Sequence, residues 1–89
     1  MDSSELSNVA WDVAEYGRPS LTVAELNIVF VRLGIGDYIE ALETVLEAID
    51  RTDGQRLPKE FAEKLVRLGQ VQYLGPHVVD LAARVSETP

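Results

Sequence analysis

The segment LGIGDYIEALETVLEAID, residues 33–50, constrains the fold more than any other part of the chain. Two glycines bracket Ile35 and mark a turn, and after the turn apolar side chains recur at intervals of three and four, which is the period of an α-helix. The apolar face consists of Ile39, Leu42, Val45, Leu46 and Ile49. We therefore predict a helix over 38–51. Asp37 is its predicted N-cap, because a carboxylate there can accept hydrogen bonds from the free amides of the first turn.

A row of acids follows the same helical period. It consists of Glu40, Glu43, Glu47 and Asp50. The spacing places all four carboxylates along one side of the helix, and we call this set the acidic stripe. The sequence shows no base within it, so the like charges are expected to cost about 0.2–0.5 kcal/mol per pair. We interpret the stripe as a docking surface for a basic partner, with a merely solvated face as the alternative.

Three further segments are predicted to be helical. Residues 4–16 carry one apolar face, and Trp11 beside it is interpreted as a core or rim anchor. Residues 57–68 and 76–86 each have a proline near their start, which the first turn of a helix tolerates. The side chains expected to face inward in the three segments are Leu6, Val9, Ala10 and Val13, then Phe61, Leu65 and Leu68, then Val78, Leu81, Ala82 and Val85.

Residues 21–33 are ambiguous. Thr22 and Glu25 fit a capping box at a helix start, whereas the run NIVFV is β-branched and also fits an extended loop. We favour a helix. The chain is thus predicted to be a single all-α domain over 1–89, a four-helix bundle with a short extra helix in 21–33.

Charge and composition exclude several classes of function. The formal net charge is −7, and residues 35–53 contain six acids with Arg51 as the only base. Such a field repels phosphate backbones and attracts basic protein surfaces, so we expect no nucleic-acid binding. The acidic, polar N-terminus argues against a signal peptide, and no apolar run approaches the roughly 18 residues that span a bilayer. We expect a cytoplasmic protein that does not bind membranes.

No set of residues predicts catalysis or a metal site. The chain has no cysteine, and His77 is its single histidine, expected to lie solvated at a helix start. The acidic stripe lacks the loop oxygens of a dedicated calcium site. Carboxylates on an open helix face also have nothing to shift their pKa values toward acid–base work. We predict that the protein is not an enzyme.

The order of these motifs resembles the acyl carrier protein family over roughly residues 21–85. In that family a turn of the form LG-x-D-S-L opens the second helix and a V-E pair follows. Here Leu33-Gly34 precede Asp37-Tyr38-Ile39 with one extra residue in the turn, and Leu42-Glu43 come next. The family's I-P-D-E before a short third helix is similar to residues 57–60, LPKE. The resemblance implies a carrier-type fold whose acidic second helix docks on basic patches of enzymes in fatty-acid or polyketide-type metabolism.

The resemblance breaks at the residue that carries the family's cofactor. Its serine, which bears phosphopantetheine, is replaced by Tyr38, and the five serines of this chain all lie away from the turn. A phenol oxygen lies several bonds further from the backbone than a serine hydroxyl, and attack geometry does not tolerate such a displacement. We therefore predict that Tyr38 stays unmodified and that no cofactor is carried. Tyr38 is either an aromatic residue that packs against the preceding loop or a contact residue.

The expected partner is the basic surface of an acyl-chain enzyme, bound through Asp37, Ile39 and the acidic stripe. Two alternatives stay open. One is an acidic inhibitor of the immunity-protein type that covers a basic site. The other is a small tetratricopeptide-like adaptor, suggested by the stretch VRLG, which occurs at 31–34 and again at 66–69.

Overall fold

The computed structural model describes residues 3–52, 55–71 and 73–86. These residues form five α-helices, and a 3-10 helix at Arg18–Ser20 follows the first of them. The α-helices are α1 (Ser3–Gly17), α2 (Val23–Gly34), α3 (Tyr38–Arg51), α4 (Lys59–Val71) and α5 (Pro76–Val85). The predicted all-α class is confirmed. The extra helix expected in 21–33 is present, but α2 is a full helix of 12 residues and not a short one.

The start of α2 shows why its β-branched residues form a helix. The amide of Glu25 donates to the hydroxyl oxygen of Thr22 at 3.1 Å, and the amide of Thr22 donates to the carboxylate of Glu25 at 2.9 Å. The predicted capping box is therefore confirmed. Val29 and Leu33 are buried on the inner face of α2, and this tertiary packing outweighs a weak intrinsic preference for strand.

Helix α3 is the centre of the fold, since it packs against α1, α2 and α5. Its buried side chains are Ala41, Leu42, Val45, Leu46, Ala48 and Ile49. Of the predicted apolar face, Ile39 alone is only half-buried. The inward-facing residues predicted for α1 and α5 are all buried, as are Leu65 and Leu68 of α4, and they join α3 in one hydrophobic core.

Two glycines lie where helices approach each other closely. A Cβ atom on Gly17, the last residue of α1, would lie 2.5 Å from Cγ1 of Val45. The sequence predicted that the helix over 57–68 would stop before Gly69, and this was wrong, because α4 continues to Val71. A Cβ atom on Gly69 would lie 3.2 Å from Cγ2 of Val79. The two glycines therefore allow helices to pack closely.

The start of α4 also differs from the prediction. Leu57, expected as the first helical residue, precedes the helix and is completely buried. Its amide donates to the carbonyl oxygen of Val85 at 2.8 Å, and Leu57 and Ser86 form an isolated parallel bridge. The helix begins after Pro58, whose carbonyl accepts from the amides of Phe61 and Ala62. The segment before α4 is thus held against the end of α5.

The two VRLG stretches do not occupy equivalent positions. The first ends α2, whereas the second lies inside α4. The sequence echo therefore does not correspond to a repeated helix boundary.

Candidate functional site

The turn into α3 places Asp37 differently from the prediction. Asp37 occupies the N-cap position, but its side chain makes no capping hydrogen bond. Its backbone, with φ −91° and ψ 63°, is outside the extended geometry usual for an N-cap. The carboxylate instead accepts a hydrogen bond from Nη1 of Arg32 at 2.9 Å. This bond joins two ionised groups, and it holds the carboxylate of Asp37 toward α2.

Tyr38 and Ile39 follow at the start of α3. Both side chains are half-buried and pack against the hydrophobic core. Tyr38 thus packs in the first turn of α3 against the core, and whether it also contacts a partner stays a prediction. A substantial part of each side chain contributes to stability and is not freely exposed to a partner.

Bases from other helices form ion pairs with the acids at the two ends of the acidic stripe, and Arg32 also pairs with Asp37. Oε1 of Glu40 lies 2.8 Å from Nη1 of Arg32, which comes from α2. Oδ2 of Asp50 lies 3.1 Å from Nη1 of Arg84, which comes from α5. The stripe itself contains no base, but these bases from α2 and α5 relieve part of its repulsion. The sequence could not show this, because the bases come from other segments.

A third base, Arg51, connects the end of α3 to the start of α2. Its guanidinium donates to both carboxylate oxygens of Glu25, at 2.8 and 3.0 Å, and to the carbonyl oxygen of Ser20 at 3.2 Å. The bonds from Arg51, together with the bond from Thr22, lower the pKa of Glu25 to about 2. Glu25 in turn raises the pKa of Arg51, and the charge of Glu47 adds to this effect. Arg51 thus also shields one side of Glu47.

The middle of the stripe is different. Among the residues that the structure describes, Glu43 and Glu47 form no ion pair. Glu47 is exposed, and Glu43 is half-buried. They are four residues apart and therefore adjacent on the helix surface. The uncompensated negative charge of the stripe is thus concentrated on one turn of α3.

A second surface feature, on α2, was missed. Ile28, Val31 and Ile35 are 47%, 63% and 74% exposed, and we call them the apolar ridge. With Asn27 and Arg32 they line a shallow depression of about 420 Å³. The sequence contained a sign of this feature, because the residues of α2 that pack inward are also apolar. When a helix has apolar residues on two sides and only one side packs against the core, the other side lacks a partner. These inward residues are Leu26, Val29, Phe30 and Leu33.

The apolar ridge runs beside the acidic stripe. At one end of α2, Glu25 bonds to Arg51 at the end of α3, and at the other end Arg32 bonds to Glu40 at the start of α3. The two helices are therefore antiparallel neighbours. Glu25 and Arg32 therefore mark the edge of α2 that meets α3, and Ile28, three residues after Glu25 and four before Arg32, lies next to that edge. The apolar ridge and the acidic stripe thus lie on neighbouring helices, with the ion pairs of Arg32 and Arg51 at the junction between the helices.

Other chemistry has no built site in the described part of the chain. No group of three or more His, Asp or Glu residues there could hold a metal ion, and His77 is exposed in the first turn of α5. None of the helices in residues 3–52, 55–71 and 73–86 combines the length and apolar character needed to cross a membrane.

No protein-family model, curated protein or solved structure matches this chain.

Proposed function

We propose that the protein is a non-catalytic docking module that binds the basic surface of a partner protein through the middle of the acidic stripe. The observation that carries this proposal is the contrast along α3. Arg32 and Arg84 form ion pairs with the acids at the ends of the stripe, whereas Glu43 and Glu47 form no ion pair among the described residues. Two like charges four residues apart destabilise a helix, and basic side chains of a partner would relieve that repulsion.

The partner class that we favour is an enzyme of fatty-acid, polyketide or related acyl metabolism in the cytoplasm. This choice depends on the resemblance of the Leu33-Gly34 turn and the acidic helix after it to carrier proteins. In this proposal Tyr38 stands at the place of the modified serine, and the module docks without phosphopantetheine. One feature departs from the family pattern, since α4, with 13 residues, is not short.

The test begins with capture of partners on the immobilised protein. We expect the native chain to retain a partner that Glu43→Lys loses. Glu60→Lys is the matched control, because Glu60 is exposed on α4 and its reversal changes the net charge by the same amount. A partner retained equally by all three proteins contradicts docking through the stripe. An enzyme whose activity falls on binding would identify the inhibitor alternative.

Binding kinetics then separate docking from incidental contact. Attraction between opposite charges acts mainly on association, and salt screens it over a Debye length of about 8–10 Å. We expect Glu43→Lys and raised ionic strength to slow association and to change dissociation little. Association rates that neither change affects would leave the stripe as a solvated face.

The carrier-like part of the proposal has its own test. After incubation with coenzyme A and a phosphopantetheinyl transferase of broad specificity, the intact mass should be unchanged, because no serine stands at the turn. An adduct mapped to Tyr38 would overturn the claim that no cofactor is carried. An adduct on Tyr38→Ser would show that a transferase recognises the surrounding turn.

A further inference from the structure

We infer that the segment recognised by this module is an amphipathic basic helix, whose apolar side chains cover the ridge on α2 and whose lysines or arginines reach Glu43 and Glu47. The inference rests on the proposed function and names the chemistry of its partner. It adds a second contact surface, the apolar ridge, to the acidic stripe.

Exposed apolar side chains are concentrated on α2. Of the eight large hydrophobic residues exposed in the described part of the chain, four belong to α2 or its C-cap, namely Val23, Ile28, Val31 and Ile35. All four are β-branched, and such residues are less favourable in a helix than alanine or leucine. They therefore reduce helix stability and leave apolar surface in water. Adjacent exposed apolar residues of this kind mark binding surfaces.

The dimensions of the ridge suit one helix. From Ile28 to Ile35 it extends over seven residues, or about 10 Å along α2. About two turns of a partner helix would span this length, and the anchors of that helix would recur at i, i+3 and i+7. An apolar centre with a charged margin is also the usual composition of a protein interface.

Electrostatic repulsion disfavours a second copy of the chain as the partner that covers the ridge. The ridge and the acidic stripe lie on neighbouring helices, so two copies that paired their ridges about a two-fold axis perpendicular to α2 would bring two sets of carboxylates to the same side of the interface. The net charge of −7 opposes that association further. A helix with basic side chains on either side of its apolar face would instead meet Glu43 and Glu47 with opposite charge.

Three synthetic helical peptides of about 18 residues provide the probes. The first carries leucine on one face and lysine elsewhere. The second replaces its leucines with alanine, and the third replaces its lysines with glutamate. Affinity is measured by calorimetry, and the contact surface is mapped by amide chemical-shift changes in the labelled protein. We expect the Leu/Lys peptide to bind on α2 and α3, the Ala/Lys peptide to bind at least about tenfold more weakly, and the Leu/Glu peptide not to bind.

Matched variants assign the contacts. Val31 and Val71 are both 63% exposed, but Val71 lies on α4, away from the ridge. We expect Val31→Ser to weaken binding of the Leu/Lys peptide about tenfold and Val71→Ser to leave it unchanged. Glu43→Lys should weaken the same peptide, and Glu60→Lys should not.

Each contrary outcome identifies what failed. Absence of binding by the Leu/Lys peptide overturns the inference. Equal affinity of the Ala/Lys and Leu/Lys peptides, or an unchanged affinity of Val31→Ser, also overturns it while the proposed acidic docking stands. Binding that depends on Val31 but not on Glu43 would show that the partner need not be basic, and this contradicts the proposed function. Self-association of the native chain that Val31→Ser abolishes shows that the ridge binds a second copy, and this too overturns the inference.

Discussion

The two long faces of α3 differ in how they contribute to the molecule. The inner face is buried against three other helices, and it packs so closely that α1 ends on a glycine where it meets Val45. The outer face carries the carboxylates of the acidic stripe. Its ion pairs lie at the surface, where they contribute little to stability. The inner face therefore determines stability, whereas the outer face can change with little effect on the fold. Substitutions on the two faces should have clearly separable effects.

The largest difference in the free energy of unfolding is expected between substitutions of Leu46, on the inner face of α3, and of Val31, on the exposed side of α2. Leu46 is completely buried on the inner face, and Leu46→Ala should lower the free energy of unfolding by about 2–5 kcal/mol through lost burial and a residual cavity. Val31→Ala, on the exposed side of α2, should change it by less than about 0.5 kcal/mol. Urea denaturation of both variants measures the comparison. Similar losses in the two would contradict the assignment of inner and outer faces.

The close approach of α1 and α3 can be tested with two glycines. Gly17→Ala should destabilise the protein by about 1–3 kcal/mol, because the new methyl group would overlap Cγ1 of Val45. Gly34→Ala, at the end of α2, meets no atom within 4 Å and should be neutral or stabilise by up to about 1 kcal/mol. Thermal unfolding compares the two, and a Gly17→Ala protein as stable as the native one would show that the helices have room to separate.

The pair of Glu25 and Arg51 predicts a dependence on pH. The pKa of Glu25 is lowered from 4.5 to about 2 in the folded protein, so its stabilising contribution is complete above pH 4.5 and is lost as the pH falls toward 2. Glu25→Gln keeps a capping-box residue and removes only the charge. The native protein should therefore melt at a higher temperature than Glu25→Gln at neutral pH, and the difference should disappear between pH 4.5 and 2. A difference that persists at pH 2 would contradict this account.

The smallest effect on stability is expected at the middle of the acidic stripe. Glu43→Lys replaces repulsion from Glu40 and Glu47 by attraction, so the free energy of unfolding should stay unchanged or rise by about 0.2–0.5 kcal/mol. Chemical denaturation at low ionic strength measures it. A loss above about 1 kcal/mol would mean that Glu43, which is half-buried, packs in the native structure and does not only project toward a partner.

Periodicity predicted those parts of the fold that depend on local sequence. The start of α3, the inward-facing residues of α1 and α5 and the Thr22 capping box could all be read directly, because helical period and caps are local properties. The boundaries of α4 could not. Leu57 is held by a hydrogen bond to Val85, and α4 continues through Gly69, where the absence of a side chain leaves room for Val79 of α5. Both causes lie in the tertiary structure.

The electrostatics of the candidate site also depend on tertiary structure that could not be predicted from the sequence. The acidic stripe was visible in the sequence, but Arg32 and Arg84 reach it from other helices, so the ion pairs at its ends depended on the fold. The apolar ridge was visible in principle as the second apolar side of α2, and it was missed because the β-branched run was weighed only as evidence for an extended loop against a helix. Docking by this surface stays a prediction.

The hydrogen bond from Leu57 to Val85 also has a consequence for local opening. It joins the segment before α4 to the last residue of α5, about thirty positions further along the chain, and Leu57 is completely buried there. The Leu57 amide cannot exchange its hydrogen with solvent unless the end of α5 separates from that segment. A residue in a connecting segment should thus exchange as slowly as the helices around it, and fraying of α5 and loosening of the start of α4 become a single event.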